Sequence, residues 1–202
     1  MTLEKPKNIK DSARDRILRA SLELFVEQGY FNTNIPDVSR LSKCSIGSIY
    51  HHFTNKEEIA VEIYKEGIKK FREFLSSVVE KDKSFIETIR AVLPAYMKFA
   101  ESHRMLSRYL WLARHREFIS RDIIKPTVVG FDDLGRKLAV IIKRSIKAGE
   151  IQKMPAELIW TIVFGIPQSF ITDWLDGFTA STPSEVSDEI CAACLRALGA
   201  KE

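Results

Sequence analysis

The amino-acid sequence predicts an all-α protein, and three observations support this. Apolar residues recur at intervals of three and four along most of the chain, as they do on one face of a helix. No stretch alternates apolar and polar residues for long, and the one Asp-Gly pair, Asp176-Gly177, falls at the end of a predicted helix. Helix-capping signals recur along the sequence. We expect about nine helices, three in an N-terminal helix-turn-helix domain and the rest in a helical bundle.

The first three helices have recognisable boundaries. The first should begin at Asp11 or Ser12, after a basic tail of residues 1–10, and end at Gly29. Asn34 can cap the second helix, with Pro36 in its first turn, and Ser45 can cap the third. The expected inward residues are Ile17, Ala20, Ser21, Leu24 and Phe25 on the first helix, Val38 and Leu41 on the second, and Ile46, Ile49 and Phe53 on the third.

The remaining helices follow from a capping box and from continued periodicity. Residues 54–57 (Thr-Asn-Lys-Glu) predict a long helix that runs to about Val79. A second box at residues 182–185, with Pro183 at the favoured first position, predicts the last helix. Pro94 should kink the helix that contains it. The further helices are expected at 84–101, 103–115, 119–149, 155–177 and 183–198.

Composition restricts the class of protein. The chain has 202 residues, 45% of them hydrophobic, which is enough for a sizeable core. The net charge is +4, and residues 1–56 hold nine Lys and Arg against six Asp and Glu, as expected if one end binds a polyanion. Three cysteines argue against a disulfide framework and fit a reducing cytoplasm. The N-terminus has no apolar signal region, and the apolar run 158–171 is too short to span a bilayer.

A set of residues over about fifty positions of the N-terminal domain forms a specific pattern: Arg16, Ile17, Leu18, Ala20, Leu24, Phe25, Gly29, Tyr30, Thr33, Val38, Ser45, Gly47, Ile49, Tyr50, His52, Phe53 and Lys56. In the order and spacing of these residues the domain resembles the DNA-binding domain of the tetracycline-repressor (TetR) family of bacterial transcription regulators. The resemblance implies a domain of residues 1–56 that binds double-stranded operator DNA, and a body of residues 57–202 that forms a homodimer and often binds a small-molecule effector. We expect no cofactor, no membrane partner and a place in the bacterial cytoplasm, at the nucleoid.

Two positions depart from the family's pattern. The turn reads Ser42-Lys43-Cys44 where the family commonly has Ala-Gly-Val. Lys43 must tolerate a strained or left-handed backbone, at a cost of about 1 kcal/mol, and it adds a positive charge near the DNA face. Asn34 replaces a common Ser or Thr and is an equally good cap.

The resemblance also assigns DNA-binding roles. Tyr50 and His52 would contact phosphate, unless His52 packs inward, and Thr33 and Lys56 would hold phosphates at helix N-termini. Gly47 would let the recognition helix approach DNA closely, and His51 would lie near the groove. The base edges would be contacted by Ser45, Ile46 and Ser48, whose short side chains leave the operator sequence undetermined. With Lys43, these residues form the expected DNA-binding set.

The body is rich in aromatic residues, most of which should be core. Since family pockets lie among the middle helices, four of them are the expected ligand-binding residues: Tyr96, Phe99, Trp111 and Phe131. A four-helix dimer interface is expected from helix 183–198 together with Trp160, Phe164, Phe170 and Trp174. The arginines and histidines between His103 and Arg121 form either a solvated helix face or a cation for an acidic ligand.

Two other functions remain open at this point. The chain could be a DNA-binding regulator with no effector pocket, controlled by a protein partner, or, more remotely, an enzyme on an all-α body. Cys191 and Cys194 are spaced like a redox or metal motif, but both fall in mid-helix with no second ligand pair nearby, so packing is the better interpretation. No catalytic constellation stands out, and we expect neither an enzyme nor a metal site.

Overall fold

The computed structural model describes residues 12–113, 117–120, 122–124 and 133–200, and within them the chain is helical with no strand. This confirms the all-α prediction. The helices are α1 Ala13–Glu27, α2 Ile35–Ser42, α3 Ile46–His52, α4 Lys56–Ser76, α5 Phe85–Ser102, α6 Arg104–Leu112, α7 Asp133–Ala148, α8 Ala156–Trp160, α9 Ile166–Leu175 and α10 Ser187–Ala197. A π-helical stretch, Thr161–Gly165, joins α8 to α9, and a 3₁₀ turn, Ser184–Val186, precedes α10.

The chain divides into two compact units, Met1–Tyr64 and Lys65–Glu202. The expected boundary at residues 56 and 57 stays a prediction about function, since the first turns of α4 belong to the N-terminal unit, where Ile59, Ala60 and Ile63 are buried. Residues 1–10, the expected basic tail, lie outside the described residues.

Side-chain caps start the helices of the N-terminal unit. The Ser12, Asn34 and Ser45 side chains accept hydrogen bonds from the backbone N–H groups of the third residue after each of them. Each cap satisfies a donor that the first helical turn leaves unpaired. The predicted starts of α1, α2 and α3 are therefore confirmed.

Some details of the predicted packing are wrong. Leu41 and Ile46 were expected to face inward, but they are 41% and 44% exposed. Val38 and Ser42 of α2 are buried, as are Ile49 and Phe53 beyond α3's first turn, so a stripe at spacing four faces the core in each case. The cap of α4 is shifted by one residue: Asn55 Oδ1 accepts from Glu58 N at 2.8 Å, and the Glu58 carboxylate accepts from Thr54 N at 2.6 Å.

The second unit has one large hydrophobic core. Its fully buried members include Leu75, Val92, Leu93, Met97 and Ile159. The predicted helix 119–149 is wrong at its start, because Ile119 and Ser120 are not helical, although Ser120 O accepts from Ile123 N at 3.1 Å. Residues 125–132 lie outside the described part of the chain, and α7 carries the helix from Asp133. Pro94 lies inside α5, as predicted.

Candidate nucleic-acid interface

The third helix presents one face outward and packs the other. Ser45 Oγ accepts from Ser48 N at 3.1 Å and starts the helix. Ile49 is fully buried and Phe53 nearly so, whereas Tyr50 is 53% exposed. Residues 46, 47, 50 and 51 are all exposed and share one side of a 3.6-residue helix. The expected recognition helix therefore offers a continuous strip of short and aromatic side chains to a partner.

The turn before this helix is held by contacts from two other helices. Lys43 has φ 56° and ψ 33°, the left-handed conformation expected at this position, and it is the only described residue other than glycine with positive φ. Ser39 Oγ donates to Cys44 O at 2.7 Å. From α1, the Arg16 guanidinium donates to Ser42 O and to Cys44 Sγ, both at 3.3 Å. The turn is thus fixed by hydrogen bonds while the Lys43 side chain remains exposed.

Lys56 reaches back to the loop between α1 and α2. Its ammonium donates to Tyr30 O and to Thr33 O, both at 2.7 Å, and lies 4.3 Å from the centre of the Tyr30 ring. Burial lowers the pKa of Lys56. An ammonium has three N–H donors, so one remains after the two carbonyls. Lys56 therefore fixes the start of α4 against this loop.

Thr33 corrects the expected set. It is 2% exposed, and its hydroxyl donates to Gly29 O at 2.9 Å and accepts from Gln28 Nε2 at 3.3 Å. A hydroxyl enclosed in this way cannot reach a phosphate, so Thr33 is a buried residue that shapes the loop. The spacing of Thr33 from Gly29 and Gln28 gave no signal of this, because threonine before a helix is equally common as a cap.

Both histidines at the end of the third helix, His51 in the strip and His52 beside it, are exposed. The rings of His51 and His52 stand 5.2 Å apart, edge to face, and His52 lies 6.4 Å from the Phe53 ring. The alternative in which His52 packs inward is therefore excluded. The sequence pattern included Arg16 and Tyr30 but gave them no role. Arg16 holds the turn and Tyr30 contacts Lys56, and local spacing does not predict such long-range contacts.

Three of the four expected pocket residues come together in the second unit. Tyr96 and Phe99 are buried on α5, and the Trp111 ring of α6 lies 5.3 Å from that of Tyr96. Phe71 of α4 contacts all three rings, at 5.0 to 5.5 Å. We call these four residues the aromatic cluster. Burial raises the pKa of the Tyr96 hydroxyl, which holds it neutral. Phe131 lies outside the described residues.

The expected interface residues lie on one long helix formed by α8, the π-helical stretch and α9. Trp160, Phe164 and Trp174 are half-buried against the core of their own unit, with Phe164 6.0 Å from the Tyr96 ring. Phe170 is also half-buried, while Leu158 and Ile166 are 47% and 39% exposed. The helix as a whole, Ala156–Leu175, is long and apolar enough to cross a membrane by length and composition alone, a criterion that core helices of soluble proteins also meet, and 28% of its most apolar 18 residues are buried. The apolar run 158–171, which is too short to span a bilayer, is the central part of this helix.

The remaining expectations concern arginines and cysteines. Arg104 stacks on the Trp174 ring at 4.6 Å, and Arg108 donates to Leu175 O and lies 3.5 Å from Asp176, so both arginines engage the end of α9. Cys191 and Cys194 are buried free thiols. Burial raises the pKa of both, that of Cys194 to about 11, and thereby disfavours the reactive thiolate. Among the described residues no group of three His, Cys, Asp or Glu is arranged to hold a metal ion.

Comparison with known proteins agrees with this geometry. The family model described as bacterial regulatory proteins, tetR family, matches residues 17–63. The chain is 23% identical over 162 residues to the fatty acid metabolism regulator protein of Bacillus subtilis. The aligned region covers 79% of this chain and 82% of the relative.

Two solved structures share the fold over nearly the whole chain. A TetR family transcription regulator from Marinobacter aquaeolei has a TM-score of 0.79 at 17% identity, over 95% of this chain and 97% of that one. The transcriptional regulator FadR from Bacillus subtilis, in complex with stearoyl-CoA, has a TM-score of 0.73 at 20% identity, over 89% of this chain and 96% of that one. The family match at residues 17–63, together with a helix-turn-helix whose caps and outward face fit the resemblance, places this chain in the TetR family of bacterial transcriptional regulators.

Proposed function

We propose that this regulator is a homodimeric repressor that binds a near-palindromic operator and leaves it when a small apolar or amphipathic effector binds. The observation that carries the proposal is the outward face of α3, where Gly47, Tyr50 and His51 are exposed opposite the fully buried Ile49. A helix presented in this way can enter a major groove without disturbing its own packing.

Phosphate contacts would come from Lys43, Tyr50, His52 and Lys56. The side chains of Lys43, Tyr50 and His52 are exposed, and Lys56 retains one N–H donor beyond its two carbonyl partners. Such contacts fix the position of the protein on the duplex and make its affinity dependent on salt. Thr33 is left out of this set because its hydroxyl is buried and engaged.

Base contacts would come from Ser45, Ile46, Ser48 and His51. The hydroxyl of Ser45 accepts from a backbone N–H, which leaves its O–H able to donate. Gly47 would allow close approach, since an added Cβ there would meet only Ser45 Oγ, at 3.9 Å, and would project outward.

A second copy of the chain would cover the long helix 156–175 and α10. The exposed residues Leu158, Thr161, Ile166 and Ser169 follow one another three, five and three residues apart, and the step of five crosses the π-helical stretch. No charged side chain lies between Glu157 and Asp173. Two such helices from each copy form a four-helix interface, and an obligate dimer of this kind buries about 2,000 Å² or more. Two-fold symmetry then favours an operator with two half-sites.

The effector would bind at the aromatic cluster. Its rings supply an apolar lining, and separation of Trp111 from Phe71 and Tyr96 would open a space bounded by α4, α5 and α6. The structure of the Bacillus subtilis relative contains stearoyl-CoA, which is amphipathic. This supports long-chain acyl thioesters as the first class of effector to try.

A close contact could transmit effector binding to the DNA-binding unit. A Cβ added to Gly67 of α4 would lie 2.8 Å from Leu106 Cδ1 and 3.1 Å from Leu110 Cδ2, both on α6. Because α6 also carries Trp111, a shift of α6 that admits an effector would push on α4, which begins at Lys56. Coupling of this kind is typically 1–3 kcal/mol, so effector should weaken operator binding by about 5- to 150-fold.

The test begins with selection of operator duplexes from random sequence by the purified protein. Affinity would then be measured at several salt concentrations, with and without stearoyl-CoA, and sedimentation would give the oligomeric state. We expect a dimer, a two-fold-symmetric sequence, strong salt dependence and release by acyl-CoA. A Phe99→Leu variant should lose acyl-CoA sensitivity and keep effector-free operator binding, whereas Val140→Ala, at an exposed site on α7, should change neither.

One observation favours a second candidate, a regulator controlled by a protein partner. Tyr96 and Phe99 are 1% and 0% exposed, and the rings of the cluster already contact one another. Specific operator binding that no apolar or amphipathic ligand alters would support this candidate and contradict the effector model.

A further inference from the structure

An aliphatic side chain is exposed at the start of the recognition helix. Ile46 is the first residue of α3 and exposes 44% of its surface, while Ile49 one turn later is fully buried. Helix formation does not require an aliphatic residue there, since the cap is made by Ser45 and the core contact by Ile49. Its methyl groups are therefore accessible to a partner, and contact with an apolar group would remove them from water.

The neighbours of Ile46 leave its side chain as the largest group at this end of the strip. Ser45 Oγ is engaged with Ser48 N, Gly47 has no side chain, and Ser48 is half-buried. Lys43 and His51 are exposed on either side of Ile46 in the sequence. An apolar side chain near an exposed lysine matches DNA, which is a polyanion whose major groove also exposes the methyl group of thymine. A protein surface matches it less well, because lysine is depleted at protein–protein interfaces.

We propose that Ile46 selects thymine at one position of each operator half-site, through contact between its methyl groups and the thymine C5-methyl group. Thymine is the one base that presents a methyl group in the major groove. This inference rests on the proposed DNA binding by α3 and adds the identity of a base to it. Ile46 would then be a specificity-determining residue, while the phosphate contacts of Lys43 and Tyr50 would leave sequence preference unchanged.

The expected change in affinity is small for one methyl group. In a dimer the change in binding free energy doubles, because both half-sites lose the contact. Burial of one methyl or methylene group changes affinity by about fourfold. Loss of the C5-methyl group in both half-sites should therefore weaken binding by about fifteenfold, if the two half-sites contribute independently.

Deoxyuridine substitution tests this directly, because deoxyuridine pairs with adenine like thymine and lacks only the methyl group. In the selected operator, each symmetric pair of thymines is replaced in turn, and affinity is measured for the wild type, for Ile46→Ala and for Val140→Ala. We expect one pair of positions where the wild type and Val140→Ala lose about fifteenfold while Ile46→Ala binds both duplexes equally. Since Ile46 is exposed, the Ile46→Ala variant should unfold at the same denaturant concentration as the wild type.

The remaining outcomes separate this inference from the proposed function. If the wild type binds its operator in a sequence-specific manner but no deoxyuridine pair matters, thymine selection is wrong and the regulator proposal stands. If Ile46→Ala discriminates thymine from deoxyuridine as well as the wild type does, another residue contacts the methyl group and the assignment is wrong. If no duplex is selected at all, the proposed function itself fails.

Discussion

The two units expose apolar side chains to similar extents, but in different chemical surroundings. In α3, Ile46 and Tyr50 are 44% and 53% exposed, with exposed Lys43 and His51 close to them in the sequence. In the long helix 156–175, Leu158 and Ile166 are 47% and 39% exposed, and Glu157 and Asp173 are the only charged residues of the helix.

This difference indicates different partners. An exposed apolar group beside positive charge suits a surface that is negative overall, such as a nucleic acid with its base edges. An uncharged apolar face suits another apolar face, and a second copy of the same helix supplies one by symmetry. The exposed fractions of the apolar side chains alone would not distinguish the two regions.

A charge placed on the long helix should break the comparison most strongly. Ile166→Glu changes an exposed residue, so the protomer should fold, but in a dimer it would bury an unpaired carboxylate at a cost of about 3–5 kcal/mol. We expect monomers by sedimentation, with unchanged helix content by circular dichroism, and operator affinity reduced by about 100-fold or more.

Two comparisons make this result interpretable. Val140→Glu introduces the same charge at a 67%-exposed position of α7 and should leave the dimer intact. Phe164→Glu is a poorer test than Ile166→Glu, because Phe164 also packs against Tyr96 and Trp160 inside its own unit. A dimeric Ile166→Glu protein would show that the uncharged face is not the interface.

The next largest changes in stability and operator affinity are expected at Lys56. Its ammonium holds the loop between α1 and α2 and is also a proposed phosphate contact. Lys56→Met keeps the apolar stem and removes two hydrogen bonds to Tyr30 O and Thr33 O. We expect the free energy of unfolding of the N-terminal unit to fall by about 1.5–3 kcal/mol, and the salt slope of operator binding to fall by about two units, one for each protomer of the dimer. Tyr50→Phe should weaken operator binding and leave stability within about 0.5 kcal/mol.

Urea unfolding and affinity measurements over a range of salt concentrations would separate these effects. Lys56→Arg restores the charge with a different geometry and should recover the salt slope better than the stability. Unaltered stability in Lys56→Met would mean that the two carbonyl contacts contribute nothing net to the fold.

The contrast between local and long-range contacts explains which features were predictable. The caps at Ser12, Asn34 and Ser45 act within three residues, so residue type and spacing sufficed to predict them. The left-handed turn at Lys43 was predicted from the family resemblance, because glycine commonly stands at this position in the family. The bonds from Lys56 to residues 23 and 26 positions earlier were not, because only the folded loop brings those carbonyls together.

The exposure of Leu41 and Ile46 was missed for a different reason. Periodicity indicates which residues share a face, and both residues continue an apolar pattern. Periodicity does not distinguish a face that packs within the chain from one that packs on another molecule. Trp160 and Phe164 show the converse, because residues expected to contact a second copy are also packed into their own core.

Lys43→Gly should sharpen the contrast between stability and charge in the recognition unit. Lys43 occupies the left-handed region, where glycine is unstrained, so the substitution should stabilise the fold by up to about 1 kcal/mol. It also removes an exposed charge from each protomer and should lower the salt slope of the dimer by about two units. Opposite signs for stability and affinity are the expected signature, and Lys43→Ala, which loses the charge but keeps the strain, is the matched control.

The smallest effect is expected from a fall in pH, which should lower the stability of the second unit by protonating Glu101. This carboxylate contacts Ser184, a residue far away in the sequence. Both oxygens of Glu101 accept from Ser184, at 2.8 Å from the backbone N and 2.7 Å from Oγ, and Lys98 lies 3.7 Å away. Burial raises the pKa of Glu101, but these hydrogen bonds and the Lys98 charge outweigh it, so the pKa is lowered. In the N-terminal unit, the hydrogen bond from the Ser12 hydroxyl lowers the pKa of Asp15, but that contact joins residues only three apart.

A lowered pKa in the folded state fixes the direction of the pH dependence. Glu101 stabilises the fold while it is charged, so its contribution is complete above the unfolded pKa of about 4.3 and is lost as pH falls through the lower folded value.

Glu101→Gln should cost about 0.5–1 kcal/mol at pH 7 and should reduce the loss of stability between about pH 5 and pH 3. Urea unfolding across that range would measure it, with Glu73→Gln, an exposed acid on α4, as the control for loss of charge. Because Glu101 contacts the segment that leads into α10, a smaller acid sensitivity in Glu101→Gln than in the wild type would show that this one contact between residues 83 positions apart stabilises the segment. Equal acid sensitivity in the two proteins would mean that the segment is held by its apolar packing instead.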